Sequence, residues 1–310
     1  MRSRFWAIAG TAMILLPAAS ACGTDDPSSA ADKEAVSGAA TAAAVVQKIG
    51  RDDAAAGRLP DDVKKSGTIT TGISTVGAPF TFLASDNKTQ IGLEVDLRDA
   101  VARVLGVKAV TTTTKWDSLL VGVQTGKFRV AQGNFGVTTD RLKTYDFVTY
   151  YNDGFGFLAN PTTNQPTIAK LTDLCGKKVG TSTGTSFIGV LQSHEGDCKK
   201  LGKEPWKIST YPDQASFTLA LDQKRIDLFL RSAIRAQYDA KQQPAKLAFK
   251  GTLNAEHVGF VLKKGDPLGP ALQAAVQKLI DDGSYAGILK AWGLESGAVQ
   301  TSQLNPPGLD

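Results

Sequence analysis

The sequence predicts an α/β fold built mostly on parallel strands. Short apolar, β-branched runs alternate along the chain with segments whose apolar residues recur at the spacing of one helix face. No fixed-period repeat interrupts this alternation. A chain of 310 residues also exceeds one typical domain, so it can bury two hydrophobic cores.

The elements follow one another in a regular order. The predicted strands are 69–73, 107–113, 130–131, 154–159, 178–181, 208–211, 226–230, 246–249 and 258–262. The predicted helices are 93–105, 116–123, 187–194, 213–224, 232–241, 267–280 and 284–292. Gly106 and Gly126 follow the last apolar residues of the first two helices, where a left-handed residue is favoured.

Residues 1–21 have the pattern of a secretory signal peptide. Arg2 and Arg4 precede an apolar run that is too short to span a bilayer, and small residues lead to Cys22. This end resembles the lipobox of bacterial lipoproteins, with Ala19 where leucine is usual. We therefore expect the protein to be exported and anchored to the outer face of the membrane by a lipid on Cys22. The alternative is an ordinary signal peptide followed by a free cysteine.

Charge and composition exclude nucleic acid as a partner. Loss of Arg2 and Arg4 with the signal lowers the formal charge from +5 to +3, and the remaining basic residues are scattered along the chain. Residues 22–59 are rich in alanine, serine, aspartate and threonine. This composition predicts a flexible linker, with a short helix near 39–49.

Cys175 and Cys198 remain in the mature chain. In an oxidising compartment an even pair predicts a disulfide rather than a metal site. Closing a loop of this length stabilises the fold by about 3 kcal/mol. Two buried free thiols are the alternative.

The stretch before Arg141 is the main candidate for a binding site. An apolar strand runs into Gly133 and Gly136, where the backbone can approach a ligand closely. Thr138 or Thr139 can cap a short helix that carries Arg141. Open α/β sheets bind ligands at this end of their strands, and a guanidinium binds a carboxylate through two parallel hydrogen bonds. The alternative is that Arg141 pairs with a neighbouring acid, Asp140 or Asp146.

Residues 184–186, Gly-Thr-Ser, form a second candidate site. They join a predicted strand to a predicted helix, so backbone N–H groups and two hydroxyls can face an anion. The alternative is simple N-capping by Thr185 or Ser186. Trp116, just before a helix, can be a core residue or a platform on which a ligand stacks.

The sequence offers no catalytic set. His194 and His257 are the two histidines, and neither has metal-ligand spacing to another histidine or a cysteine. There is no G-x-S-x-G elbow, and the glycine-containing loop at 180–186 lacks the lysine of a P-loop. We therefore predict no catalytic residue, no metal and no cofactor.

Several ordered motifs share one resemblance. They are 77–80 (GAPF), 92–97 (GLEVDL), 116–119 (WDSL), 126–127 (GK), 138–141 (TTDR), 145–147 (YDF), 173–180 (DLCGKKVG), 184–186 (GTS), 282–285 (DGSY) and 292–294 (WGL). With these motifs the chain from about 59 to 294 resembles a family 3 extracellular solute-binding protein, the polar amino-acid class that serves ABC importers. The Cys175/Cys198 pair also resembles a disulfide of actinobacterial members.

The resemblance implies a two-lobed, periplasmic-binding-protein-like (type II) fold with two hinge crossings, near 156–160 and 256–261. Lobe 1 would comprise 60–156 plus 257–294, lobe 2 would comprise 157–256 with the hinge strands, and 295–310 would be a C-terminal tail.

The same resemblance implies the ligand contacts. Arg141 would bind the ligand carboxylate, Asn134 and Gly136 would add contacts from lobe 1, and Trp116 would stack on the ligand. The pair at 185–186, Thr185 and Ser186, would touch the carboxylate from lobe 2.

The chain departs from the family at positions that matter for the ligand. Gly136 stands where the family has Ser or Thr, and Ser232 stands where an acid pairs with the ligand's ammonium. Ser74 and Gly77 replace an Asp and an aromatic residue of basic-amino-acid binders. Basic amino acids are therefore discounted. Because a buried ammonium without a counter-charge binds poorly, a carboxylate that lacks the ammonium is an alternative to the polar or acidic amino acid that the family implies.

Arg231, beside Ser232, leaves two interpretations open. It can bind a second anionic group of the ligand. Alternatively it points into solvent and the missing acid is supplied elsewhere, for instance by Glu94 or Asp153.

The sequence therefore predicts a monomeric binding protein that captures a polar or acidic amino acid, or a related carboxylate, and presents it to an ABC permease. The alternatives are a dehydratase-like enzyme on the same scaffold, which needs a general acid such as Glu94 or Asp153, and a ligand-sensing module.

Overall fold

The computed structural model describes residues 27–309. The predicted signal peptide, 1–21, and the predicted lipidation site, Cys22, lie outside the described residues. None of the helices in the described chain is both long and apolar enough to cross a membrane.

Ten strands form the described sheets. They are β1 (Thr68–Ile73), β2 (Phe82–Leu83), β3 (Gln90–Ile91), β4 (Lys108–Thr113), β5 (Val130–Gly136), β6 (Tyr145–Ala159), β7 (Lys178–Ser182), β8 (Lys207–Tyr211), β9 (Leu228–Ser232) and β10 (Ala248–Lys263). β2 and β3 form a small hairpin, and the other eight strands lie in the order β4-β1-β5-β10-β6-β9-β7-β8.

The long antiparallel pair of β6 and β10 lies at the centre of the large sheet. On one side β4, β1 and β5 are parallel to one another, and on the other side β9, β7 and β8 are parallel. β5 pairs with one end of β10, and β9 pairs with the opposite end of the β6–β10 pair. The predicted α/β class is confirmed, with two parallel wings joined by two long strands.

The described helices cover both wings. They are α1 (Pro27–Val46), α2 (Asp53–Gly57), α3 (Asp61–Ser66), α4 (Leu93–Leu105), α5 (Leu119–Gln124), α6 (Thr139–Leu142), α7 (Ser186–Ser193), α8 (Gly196–Lys200), α9 (Gln214–Asp222), α10 (Ala233–Gln242), α11 (Gly269–Asp281) and α12 (Ser284–Trp292). Short 3₁₀ turns lie at Trp116–Ser118, Leu171–Leu174 and Glu295–Gly297.

Each wing has its own hydrophobic core, which makes the molecule two-lobed. In the first lobe, α4, α11 and α12 pack through residues such as Val101 and Ile288 against Phe260 of β10. In the second lobe, Phe187 and Trp206 pack with Leu230. Cys175 and Cys198 belong to this second core and form the predicted disulfide, with a Cα–Cα distance of 5.5 Å.

The N-terminal segment differs from the flexible linker predicted for 22–59. α1 packs against α12, and Val46, Ile49 and Leu59 are buried in the first core. A Cβ on Gly38 would lie 2.8 Å from the carbonyl oxygen of Ala291, so the glycine permits the close approach of the two helices. Small residues thus allow this segment to pack closely and become buried. A count of large apolar residues could not predict that burial.

The C-terminal residues 298–309, which we call the strap, lie against the first lobe. Asn305 N donates to Phe147 O at 2.9 Å, and Asn305 Oδ1 accepts from Phe147 N at 2.9 Å. Further along, Leu309 N donates to Val137 O at 3.0 Å and Thr139 N donates to Leu309 O at 3.2 Å. The predicted tail is therefore hydrogen-bonded to Phe147 of β6 and to the turn at 137–142 that carries Arg141.

Candidate ligand-binding cleft

The candidate cleft lies where strand ends from the two lobes approach the middle of the β6–β10 pair. β5 ends at Gly136, opposite Val258 of β10, and β9 ends at Ser232, opposite Phe155 of β6. Between these two points Glu256 of β10 lies opposite Asp153 of β6. The carboxyl ends of parallel strands from both lobes thus face one region, as ligand sites of open α/β sheets do.

Arg141 reaches from the first lobe to the second. Thr138 caps α6 by accepting a hydrogen bond from Arg141 N at 3.1 Å, as the sequence predicts. The guanidinium then donates to Gly136 O at 2.8 Å and to Gly184 O at 3.4 Å. Burial lowers the pKa of Arg141, and the nearby carboxylate of Glu256 opposes that shift. The structure therefore brings Arg141 and residues 184–186 together.

The two hydroxyls of the second-lobe loop differ in orientation. Thr185 Oγ1 donates to Ser182 O at 2.9 Å within its own loop. Ser186 Oγ, at the start of α7, instead donates to Glu256 Oε2 at 3.4 Å. Of the two predicted contacts, Ser186 is the one whose hydroxyl reaches the central strands.

Trp116 covers the cleft from the first lobe. Its Nε1 donates to Gly133 O at 2.8 Å, and its ring stacks on Phe135 with centroids 4.9 Å apart. The Arg141 guanidinium lies 6.0 Å from the indole centroid, within the range of a cation–π contact. A Cβ on Gly184 would lie 3.3 Å from the indole, so the second lobe closes directly onto this ring.

Glu256 is the residue of the cleft that the sequence analysis missed. It lies on β10 with 6% of its surface exposed, beside Gly136, where a Cβ would clash with its carboxylate. Burial raises the pKa of Glu256 to about 7, Asp153 adds to the increase, and Arg141 and Ser186 oppose it. The sequence signal that could have indicated this acid was Gly136, noted above as a departure from the family pattern. A glycine at this position leaves space for the side chain of another residue.

Asp153 lies beside the position of the missing acid. Its carboxylate accepts hydrogen bonds from Asn134 Nδ2 at 2.8 Å and Ile234 N at 3.4 Å, and the Ser232 hydroxyl also bonds to it. Burial raises the pKa of Asp153, and these hydrogen bonds oppose the shift. Ser232 Oγ also caps α10 by accepting from Arg235 N at 3.2 Å. Asp153 thus places a carboxyl group next to Ser232.

Asn134 has a left-handed backbone, with φ of +53°. While its Nδ2 is bonded to Asp153, its Oδ1 is buried and has no hydrogen-bond partner among the described residues. An uncompensated buried acceptor is costly, so this oxygen is available to a donor from a ligand.

Glu94, the other acid considered from sequence, is held within the wall of the first lobe. Its carboxylate accepts from Asn134 N and Tyr150 OH, both at 2.5 Å, and from Thr81 Oγ1 at 2.9 Å. Burial raises the pKa of Glu94, and the three hydrogen bonds oppose the shift. Three protein donors thus hold its carboxylate within the wall of the first lobe.

Arg231 does not fit the interpretation that it points into solvent. Only 16% of its side chain is exposed, and its guanidinium forms an ion pair with Asp239. The guanidinium also lies 5.5 Å from the centroid of Phe217. Burial lowers the pKa of Arg231 to about 10. Asp239 pairs with both Arg231 and Arg235, and Arg231 Nε is buried with no hydrogen-bond partner among the described residues, so binding of a second ligand anion by Arg231 stays a prediction.

A second arginine, Arg235, crosses between the lobes where Gly77 leaves space. Its Nη1 donates to Ala78 O at 3.0 Å, and its Nε donates to Asp239 Oδ1 at 2.8 Å. A Cβ on Gly77 would clash with this guanidinium. Ser74 is buried at the end of β1, and its carbonyl accepts from Val76 N at 2.9 Å. The hydrogen bond from Arg235 to Ala78 O thus joins the two lobes.

Metal binding has no support in residues 27–309. No three histidine, cysteine, aspartate or glutamate side chains in that range lie close enough together to hold a metal ion.

Comparisons with known proteins identify the family to which the chain is similar. The model of the bacterial extracellular solute-binding proteins, family 3, matches residues 69–295. The arginine-binding protein ArgT of Corynebacterium glutamicum is 26% identical over 254 residues, which cover 81% of this chain and 83% of ArgT. The L-cystine-binding protein TcyJ of Escherichia coli K12 is 30% identical over 237 residues, which cover 76% of this chain and 85% of TcyJ.

A solved structure shares the fold. The crystal structure of the ancestral amino acid-binding protein AncCDT-1, a precursor of cyclohexadienyl dehydratase, matches with a TM-score of 0.63 and 27% identity. The match covers 75% of this chain and 98% of that chain. The two relatives and this structure are all named for binding amino acids.

Proposed function

The chain belongs to the bacterial extracellular solute-binding proteins of family 3, and on that premise we propose that it is the solute-binding lipoprotein of an ABC importer. It captures a small carboxylate-bearing solute, a polar or acidic amino acid or a related compound, and presents it to a membrane permease. The family is extracytoplasmic, and it implies an amino-acid ligand and an ABC permease.

The position of Arg141 is the observation that carries this proposal. A guanidinium from the first lobe lies 3.4 Å from a carbonyl oxygen of the second-lobe loop, beside the Ser186 hydroxyl and under the indole of Trp116. A carboxylate placed there meets a permanent cation, a hydroxyl and an aromatic surface. In this proposal Asn134, Gly136 and Thr185 complete the wall around it.

Capture occurs by closure of the two lobes, 60–156 plus 257–294 and 157–256. A ligand that touches both Arg141 and Ser186 binds the closed form better than the open form, and this difference in affinity drives closure. The bond from Arg235 Nη1 to Ala78 O joins the lobes in the same state and adds to its stability.

The lipid anchor and the monomeric state rest on sequence alone. Cys22 follows a signal peptide and would carry the lipid. Tethering to the outer face of the membrane would keep the binding protein near its permease. Metabolic labelling with a fatty-acid analogue, in the wild type and in Cys22→Ser, tests the anchor, and equal labelling of both would contradict it.

The binding assignment is tested by a ligand screen followed by one substitution. A thermal-shift screen over amino acids, dicarboxylates and betaines identifies ligands by the increase in Tm. Arg141→Ala should then weaken binding of the best ligand by about 2–5 kcal/mol in calorimetry, because its carboxylate is left buried and unpaired. Lys143→Ala, which removes an exposed charge two residues away, is the matched control and should bind as the wild type does. Equal affinities of all three proteins would reject the site.

An enzyme on the same scaffold is the second candidate, and one observation favours it. Glu256 is buried in the cleft with a pKa raised to about 7, a value suited to a general acid. We favour binding because the relatives are binding proteins and because three protein donors already hold Glu94. Chemical change of a bound metabolite, rather than reversible stabilisation, would support the enzyme.

A further inference from the structure

We propose that Glu256 binds a cationic group on the same ligand whose carboxylate binds Arg141, so that the cleft selects zwitterions over simple carboxylates. This inference rests on the proposed function and adds to it the ligand's second charge. The residue lies on the central strand pair rather than at Ser232, where the family places its acid.

The two opposite charges flank one residue, Gly136. Arg141 Nη1 donates to its carbonyl oxygen at 2.8 Å, and the Glu256 carboxylate occupies the space that a side chain on Gly136 would fill. The cation and the anion therefore lie on two sides of one backbone position. An amino acid carries its carboxylate and its ammonium on one carbon, so a ligand at this position can meet both charged side chains.

Glu256 is poorly supplied with donors from the protein. Among the described residues, Ser186 is its one hydrogen-bond donor, at 3.4 Å, whereas an ionised carboxylate has about four acceptor sites. Asn134 Oδ1, also buried, has no donor among the described residues. Buried acceptors normally have hydrogen-bond donors. These oxygens have fewer donors than they can accept, and an ammonium group can supply the missing ones.

The central strands also place like charges together. Glu256 and Asp153 are directly opposed on β10 and β6, with 6% and 4% exposure, and like charges in such pairs repel. The other groups that face Glu256 are Arg141 from α6 and the Ser186 hydroxyl from α7. His257, next along β10, is bonded to Asn152 Oδ1 at 2.7 Å. Arg141 is the cation that acts on Glu256, whereas Arg231, which also acts on Asp153, is paired with Asp239. An ammonium group of a ligand would add a second cation beside Glu256.

Matched pairs of ligands test this assignment. The probes are L-glutamate with glutarate, L-glutamine with glutaramate, and L-arginine with 5-guanidinopentanoate, which differ within each pair by the ammonium group. We expect the wild type to bind at least one amino acid about tenfold or more tightly than its partner. Glu256→Gln should lower the affinity for that amino acid by at least about 30-fold and change the affinity for the partner by less than about threefold. Asp140→Asn, which removes an exposed acid beside Arg141, should keep the wild-type preference.

Two results would overturn the proposal while leaving the proposed function intact. One is a Glu256→Gln variant that keeps the wild-type preference although Arg141→Ala has lost binding. The other is tighter binding of both members of a pair by Glu256→Gln, which would show that Glu256 competes for Arg141. Failure of the wild type to bind any of the six probes would overturn this proposal as well, and an Arg141→Ala variant that kept the best ligand of the wider screen would reject the proposed function.

A measurement on the wild type keeps the test valid if Glu256→Gln does not fold. A bound ammonium lowers the pKa of Glu256 from about 7, so binding of the amino acid at pH 7 should release about half a proton. Calorimetry in two buffers of different ionisation enthalpy measures this release. The partner without the ammonium should release none, and equal release by both partners would contradict the assignment.

Discussion

Glu94 and Glu256 are two buried carboxylates with opposite surroundings. Glu94, in the wall of the first lobe, accepts three hydrogen bonds of 2.9 Å or shorter from protein groups. Glu256, on the central strands, has a single donor at 3.4 Å among the described residues and faces another acid. Burial alone therefore does not identify a ligand-binding acid. The number of donors that the protein supplies separates the structural carboxylate from the one that can bind a ligand.

Replacing Glu94 by alanine should change the free energy of unfolding by a very different amount from replacing Glu256 by alanine. Glu94→Ala leaves the donors of Thr81, Tyr150 and Asn134 buried and unpaired, so the free energy of unfolding should fall by about 3–6 kcal/mol. Glu256→Ala removes a carboxylate whose ionised form is destabilised by burial and by Asp153, so at pH 7 the free energy of unfolding should not fall. Urea unfolding of the ligand-free proteins measures both values. Similar losses at the two positions would remove the distinction.

The pH dependence of stability should separate Glu256 from its surroundings. Its pKa in the fold is about 7, above the ordinary value of 4.5, so between these values the folded state binds more protons than the unfolded state. Stability should therefore fall as pH rises from about 4.5 to 7, by roughly 2–4 kcal/mol from this residue. Asp153 and Glu94 shift in the same direction, so the measurement is the difference in pH slope between the wild type and Glu256→Gln. Identical slopes would argue against the raised pKa.

Gly136→Ala should affect binding while stability remains nearly unchanged. The new methyl group would displace the Glu256 carboxylate, which is the movable end of a flexible side chain. We expect about a tenfold loss of amino-acid affinity, or about 1.4 kcal/mol, with stability within about 1 kcal/mol of the wild type. Calorimetry and urea unfolding on the same samples check the two values. Unchanged affinity would show that the space beside Gly136 has no role in binding.

Features that depend on local sequence could be predicted. Alternating strand and helix patterns indicated the α/β class, and the even cysteine pair indicated the disulfide. The proximity of Arg141 to residues 184–186 also agrees with prediction, because each follows a strand whose carboxyl end faces the cleft. In these cases neighbouring residues carry the information.

Features that depend on strand register or helix packing could not be predicted. The strands expected at 246–249 and 258–262 are one strand, β10, and Glu256 lies in the part that was left out. Its opposition to Asp153 follows from the pairing of β6 with β10, which no local pattern specifies. Arg231 is likewise paired with Asp239, which lies eight residues away on the next helix and also pairs with Arg235. The predicted linker packs against α12 through small residues. A pattern search that counts large apolar side chains does not detect such packing.

The strap makes distant residues part of the support of the cleft. Val137 O and Thr139 N, which flank the N-cap of α6, both bond to Leu309, and Asn305 is bonded to Phe147 after that helix. Residues 305–309 thus hold the chain on both sides of the turn that carries Arg141. A substitution in the strap can therefore weaken the hold on a ligand without altering any residue of the proposed binding site.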